Sequence, residues 1–224
     1  MNLTLYTVSG APRGWRALMG LALKRLDYDV HYLEASKREH KAPEFLRINP
    51  RGEVPVLDAG GLIIRESIAI LAWLDRQFAE KPLFGETPEE AARIWELTME
   101  CSDKLRGATN DLLYPILVEN IEMPAPNSER MIELQAVSES MHAECRYLNG
   151  LLGDQSFLCG KRPSAAEAVT FPEIRLLQRA LERKSELMSV LGFDKLTGRY
   201  PSLFDWSDRV ASLRGVDRTL PIHW

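Results

Sequence analysis

Apolar and polar residues alternate where the chain begins: Leu3 and Leu5 interleave with Thr4 and Tyr6, the two-residue period of a short strand with one buried face. Beyond the loop from Thr7 to Gly14 the period changes. Trp15, Leu18, Met19, Ala22, Leu23 and Leu26 recur at three and four, the stripe of an amphipathic helix. Asp29 to Leu33 then reads as a second strand, and strand, helix, strand in this order favours parallel pairing. The stretch from Ser36 to Leu46, dense in charge and carrying Pro43, predicts a solvated, partly irregular surface segment. Two more short β-type runs, Val54 to Leu57 and Leu62 to Ile64, flank Gly60-Gly61, a dipeptide suited to the positive φ angles of a tight hairpin turn. Ser67 caps or begins a helix over the apolar run Ile68 to Leu74.

Proline and glycine break the pattern between Glu80 and Glu86, which places a linker there. Everything beyond it reads as helical. Thr87-Pro88-Glu89-Glu90 combines a cap, proline at the first helical position and glutamate three residues after the cap. The helix it opens carries Ile94, Leu97, Cys101 and Leu105, and another that starts at Asn127-Ser128-Glu129 carries Val137, Met141, Cys145, Leu148 and Leu152. Ser164-Ala165-Ala166-Glu167 is a second capping box, and a late helix begins at Tyr200-Pro201. The expected organisation is an α/β domain over residues 1–82 and an all-α domain over residues 87–224.

A chain of 224 residues with 45% hydrophobic content has enough apolar surface for two small cores. Its net charge of -4, from 28 basic and 32 acidic residues, lacks the basic excess that grips nucleic acid or anionic membranes. Cys101, Cys145 and Cys159 form no metal-like pair, and an odd number gives no disulfide framework. Two of the three fall in helical core stripes, where a thiol stays protonated and inert. With no basic region leading into a long apolar run at the start, these features predict a cytoplasmic protein that engages neither nucleic acid nor membrane.

The candidate chemistry lies between Asn49 and Ser67. Proline cannot donate to a strand ladder, so Val54-Pro55 belongs at a strand start whose edge is open to another partner. Glu66-Ser67 precede a helix whose free N–H groups attract anions. A small, anionic, peptide-like ligand suits both features. The order Asn49-Pro-x-Gly-x-Val-Pro-x-Leu, hairpin, Glu66-Ser-x-Ala-Ile resembles the glutathione-binding half of glutathione S-transferases, and the likeness runs the length of the chain.

That resemblance implies a thioredoxin-like first domain, an all-helical second one and a homodimer, with glutathione as co-substrate and no metal. It carries Glu66 to the amino group of glutathione and Ser67 to its γ-glutamyl carboxylate. The Val54 backbone pairs with the cysteinyl segment as an added strand, and Pro55 is cis. His40 and Lys41 match a phi-like pair that holds the glycine carboxylate. Glu53 replaces a glutamine common in those relatives and receives no binding role. In the loop before the first helix, Ala11 stands where serine-type members carry the thiol-activating hydroxyl, and no cysteine is present. Tyr6 and Thr7 belong to the first strand and its end, which leaves Ser9 as hydrogen-bond donor and Arg13 as charge for the catalytic role. The implied activity is transfer of the glutathione thiolate to a small hydrophobic electrophile. Two alternatives stand beside it: a zeta-like cis-trans isomerase, suggested by Trp15-Arg16 and Leu21-Ala22-Leu23-Lys24, and a non-catalytic binding protein, suggested by Ala11.

Overall fold

In a computed structural model that describes residues 1–224, the opening alternation becomes strand β1 (Thr4–Thr7), with Leu5 and Thr7 buried. Helix α1 (Pro12–Lys24) follows, and then β2 (Asp29–Tyr32), which pairs parallel to β1. The hairpin comprises β3 (Val56–Asp58) and β4 (Ile63–Arg65), joined across Gly60 (φ 71) and Gly61 (φ 98). β3 runs antiparallel to both β1 and β4, giving a mixed sheet in the order β2-β1-β3-β4. Helix α3 (Ser67–Gln77) packs against α1, and Gly20 lets them approach, since a Cβ there would collide with Leu71. The fold is thus α/β at the start of the chain and helical beyond it, as expected.

Between β2 and β3 the structure departs from the sequence reading. The charged stretch contains helix α2 (Pro43–Ile48), which places Phe45 in a cluster with Leu33 and Val56. Pro43 sits at its first position, where a missing N–H costs nothing.

Two compact units are distinguished by their internal contacts, residues 1–94 with 211–224 and residues 95–210. In the first, the chain past α3 is fastened to α1 by Lys24, whose buried ammonium donates to the carbonyls of Phe78, Glu80 and Lys81 and pairs with Asp75 at 3.4 Å. Burial lowers the pKa of this lysine, while the Asp75 charge works against that. The residues after helix α10 (Pro201–Ala211) also belong to this unit. Trp15 Nε1 donates to Thr219 Oγ1 at 2.9 Å, and Trp224 meets the Trp15 ring edge-on at 5.2 Å between centroids.

The helical half of the chain opens with an uninterrupted run. It consists of α4 (Pro88–Glu100), a π turn (Cys101–Leu105), α5 (Arg106–Leu113) and a second π turn (Tyr114–Val118). The stripe Ile94, Leu97, Cys101 and Leu105 is buried along it. Helix α6 (Glu129–Leu152) is capped by Ser128, which accepts from the Met131 N–H at 3.2 Å. Cys145 lies fully inside, and burial pushes its thiol up to about 12, so it is inert at neutral pH. Helix α7 (Ala165–Arg183) starts from the capping box, and the short helices α8 (Ser185–Val190) and α9 (Leu196–Arg199) lead to α10. No helix is long and apolar enough to cross a membrane.

His142 of α6 is 1% exposed and stacks on Phe193 at 4.0 Å. Its Nε2 donates to the Leu191 carbonyl at 3.0 Å, so Nδ1 is left to accept from the Tyr200 hydroxyl at 2.9 Å. Burial lowers its pKa below the usual histidine value. The unfolded chain therefore binds a proton that the native state resists. This contribution to stability is fully present above about pH 6.5 and is lost as pH falls through the folded-state pKa, by at most about 1.4 kcal/mol per unit. Denaturant midpoints between pH 5 and 7.5 should accordingly fall more steeply for the wild type than for His142→Gln, which keeps a donor toward Leu191. Parallel curves would remove His142 as the cause.

Candidate functional site

The loop ahead of β3 is shaped by its own polar side chains. Asn49, 2% exposed, accepts from the Arg51 N–H at 3.2 Å and donates to the Glu53 carbonyl at 2.7 Å. Gly52 has φ +60, and a Cβ there would lie 2.6 Å from the His40 carbonyl oxygen, so only glycine fits. The Lys41 ammonium donates to the Arg51 carbonyl at 2.9 Å and braces the loop. Val54-Pro55 is cis, and neither Val54 backbone group is hydrogen-bonded within the chain. An extended segment can therefore pair there as a further strand.

Glu66 follows β4 with φ 70 and ψ 121, a conformation that strains a non-glycine residue. It turns the chain so that Ser67 opens α3. The Glu66 carbonyl accepts the Ile70 N–H at 2.9 Å, which leaves the N–H groups of the first turn without helical partners. Ser67 is buried and Glu66 is exposed.

These pieces meet at a cleft of about 440 Å³ within the first unit. Of the residues singled out in the sequence, Arg13, Val54, Pro55, Glu66 and Ser67 line it. His40, Lys41 and Ser9 do not. His40 and Lys41 support the loop from behind, and the Nδ1 of His40 is enclosed without a hydrogen-bond partner. Ser9 lies in the β1–α1 turn closed by the Ala11 N–H to the Val8 carbonyl, and its hydroxyl faces Ile222 and His223.

The cleft also draws on residues to which sequence reasoning gave no role. Arg51 and Arg65 line it beside Arg13, and Glu53 lines it beside Glu66. Three guanidinium groups against two carboxylates suit a ligand with several negative charges and one positive group. The signal was present as arginines two residues before the first glutamate and one before the second. Solvent-facing charge reads the same way in one dimension.

The chain is similar to proteins of one known family. Residues 1–76 match the family model described as Glutathione S-transferase, N-terminal domain. A zeta class glutathione S-transferase from Euphorbia esula is 40% identical over 173 residues, covering 77% of this chain and 75% of that protein. The maleylacetoacetate isomerase of Pseudomonas aeruginosa is 28% identical over 181 residues, covering 79% of this chain and 82% of the relative. Among solved structures, a glutathione S-transferase from the Antarctic clam Laternula elliptica superposes with a TM-score of 0.80 at 24% identity, covering 100% of this chain and 94% of the clam protein.

Proposed function

The chain belongs to the glutathione S-transferase family, and from that premise we propose that it binds glutathione in the cleft of its first unit and transfers the thiolate to a small hydrophobic electrophile. One observation carries this reading. The open Val54 edge, the first turn of α3 at Ser67 and the cations Arg13, Arg51 and Arg65 all face a single cleft.

Glutathione is a peptide thiol with two carboxylates and one ammonium. Its ammonium pairs with Glu66, and its γ-glutamyl carboxylate takes the Ser67 hydroxyl and the free N–H groups of the α3 start. The cysteinyl segment lies along Val54. The glycyl carboxylate falls to Arg51, with Lys41 adding charge from behind the loop and His40 backing Gly52.

A free thiol of pKa near ~8.5 is mostly protonated at neutral pH, so the reaction needs a group that favours its anion. Arg13, at the second position of α1, supplies a positive charge, and the N-terminal end of that helix adds its dipole. The sulfur electron pair then forms the new S–C bond. A leaving group departs with its own pair, or the π pair of an activated alkene moves to the adjacent carbon and is protonated by solvent. The reading extends to a cytoplasmic homodimer.

The test is calorimetric titration with glutathione, followed by thiolate absorbance of the bound ligand against pH. Arg13→Ala should raise the bound thiol's apparent pKa, and because Arg13 is exposed, added salt should shrink the difference. No heat of binding in the wild type would overturn the proposal. The zeta-type relatives favour a second reading, in which sulfur adds to a cis-enone dicarboxylate, the C–C bond rotates and sulfur leaves. Turnover of such a substrate without net thiol loss distinguishes it from conjugation. Tight glutathione binding with no turnover of either substrate type would instead mark a binding protein, in keeping with Ala11 at the activating position.

A further inference from the structure

Arg13, Arg51, Glu53, Arg65 and Glu66 all line the cleft, and none of these side chains has an ion pair or hydrogen bond within the chain. Glutathione as placed above leaves two of them over. Arg65 stands beside Ser67 and adds to the positive charge there, whereas Glu53 has no counterpart on the ligand. The strand register separates the two. Arg65 is the partner of Val56 across the hairpin, so the α3 start at Ser67 lies at the Val56 end of the edge that runs from Val54 to Val56, and Glu53 lies at the other end. Buried Asn49 holds that end in place by donating to the Glu53 carbonyl at 2.7 Å.

We propose that Glu53 is a specificity-determining residue that opposes the C-terminal carboxylate of the ligand, so that the cleft selects the γ-glutamylcysteinyl part of a peptide thiol and accepts third residues whose carboxylate is masked as an ester or amide. The inference rests on the glutathione reading above and concerns one end of the same site. A γ-glutamyl group held at Ser67 and a cysteinyl segment paired along Val54 send the next residue past Val54, antiparallel to the strand, toward Glu53 and Arg51. There the ligand carboxylate meets both signs of charge. Arg51 attracts it, but an ionised Glu53 only accepts hydrogen bonds, so it offers a second carboxylate no donor and repels it. A masked end escapes that repulsion. At the γ-glutamyl end no such conflict arises, because the ligand presents an ammonium to Glu66 and a carboxylate to Ser67, the α3 N–H groups and Arg65. Selection by charge therefore resides at that end.

The test is calorimetric titration of the full chain with two ligands, glutathione and its glycyl monoethyl ester, which differ by one negative charge at the end in question. The wild type should bind the ester within about tenfold of glutathione. Glu53→Gln keeps the shape, removes the charge and supplies a donor. It should tighten glutathione and leave the ester nearly unchanged, widening the ratio of the two Kd values by roughly fivefold in low salt and by less in high salt. A structural disturbance would move both affinities together. Glu66→Gln provides the contrast, since it should weaken both ligands alike and leave the ratio where it was. An unchanged ratio in Glu53→Gln, or a wild type whose preference for glutathione exceeds that tenfold bound, overturns the proposal. A ratio that responds to Glu66→Gln instead would place the ligand the other way round and overturn it as well. If the wild type binds neither ligand, the glutathione reading falls together with this one, whereas normal glutathione binding with a ratio indifferent to Glu53 overturns this one alone.

Discussion

Glu167→Ala should destabilise the chain by about 4 kcal/mol, lowering the melting temperature by roughly 10 °C for a protein of this size. The carboxylate is 0% exposed and accepts from four donors. Oε1 takes the Leu158 N–H at 2.7 Å and Trp206 Nε1 at 3.2 Å, while Oε2 takes the Ser164 N–H at 2.7 Å and the Ser164 hydroxyl at 2.8 Å. Burial pushes this carboxyl up and the donors oppose it. Truncation would leave three buried N–H groups unsatisfied, each costing about 1–3 kcal/mol, and would break the cap of α7. Glu167→Gln keeps one oxygen acceptor but turns an NH₂ group toward donors, so it should fall between. Thermal and urea unfolding followed by circular dichroism would measure both. A loss under about 1 kcal/mol in the alanine variant would mean that the network is not what holds this helix start.

At the candidate site, Glu66→Ala and Ser67→Ala should each weaken glutathione binding by about 1.5–3 kcal/mol, roughly 10- to 150-fold in Kd. Each removal strips a partner from a charged ligand group, which is costlier than losing a neutral hydrogen bond. Neither side chain bridges distant parts of the fold, so unfolding midpoints should move little. The backbone strain at Glu66, φ 70, persists in the alanine variant, which makes affinity rather than stability the sensitive readout. Because the two residues are adjacent, the double variant should lose less than the sum of the single losses. Unchanged calorimetric affinity in both single variants would remove the γ-glutamyl assignment.

Strands β1 and β2 were legible because their burial alternates, β3 and β4 because short apolar runs flank Gly60-Gly61, and α1, α4 and α6 because apolar residues recur at three and four. The capping box at Ser164 was legible for a different reason, since cap and glutamate lie three residues apart and their reach is local. Helix α2 was not. Six residues hold one fully buried apolar side chain, Phe45, and no period emerges from a single point. His142 escaped notice for a related reason: it sits on a buried stripe, but its partners Leu191, Phe193 and Tyr200 lie some fifty residues away.

For the site, the stretch 49–67 by itself specified a strand edge next to a helix start, because proline chemistry and serine capping are written in neighbouring residues. Which charges reach the cleft was a tertiary matter. Arg51 and Arg65 are indistinguishable in sequence from solvated charge, and Lys41, marked out for ligand binding, has its ammonium on the Arg51 carbonyl. Ser9 depends still more on the fold. Its partners follow more than two hundred residues later, and only the anchoring of Thr219 and Trp224 on Trp15 brings them to it. Sequence fixes what a residue can donate or accept within a few positions of itself. Which distant group meets it is decided by packing, since that depends on many side chains closing around one core at once.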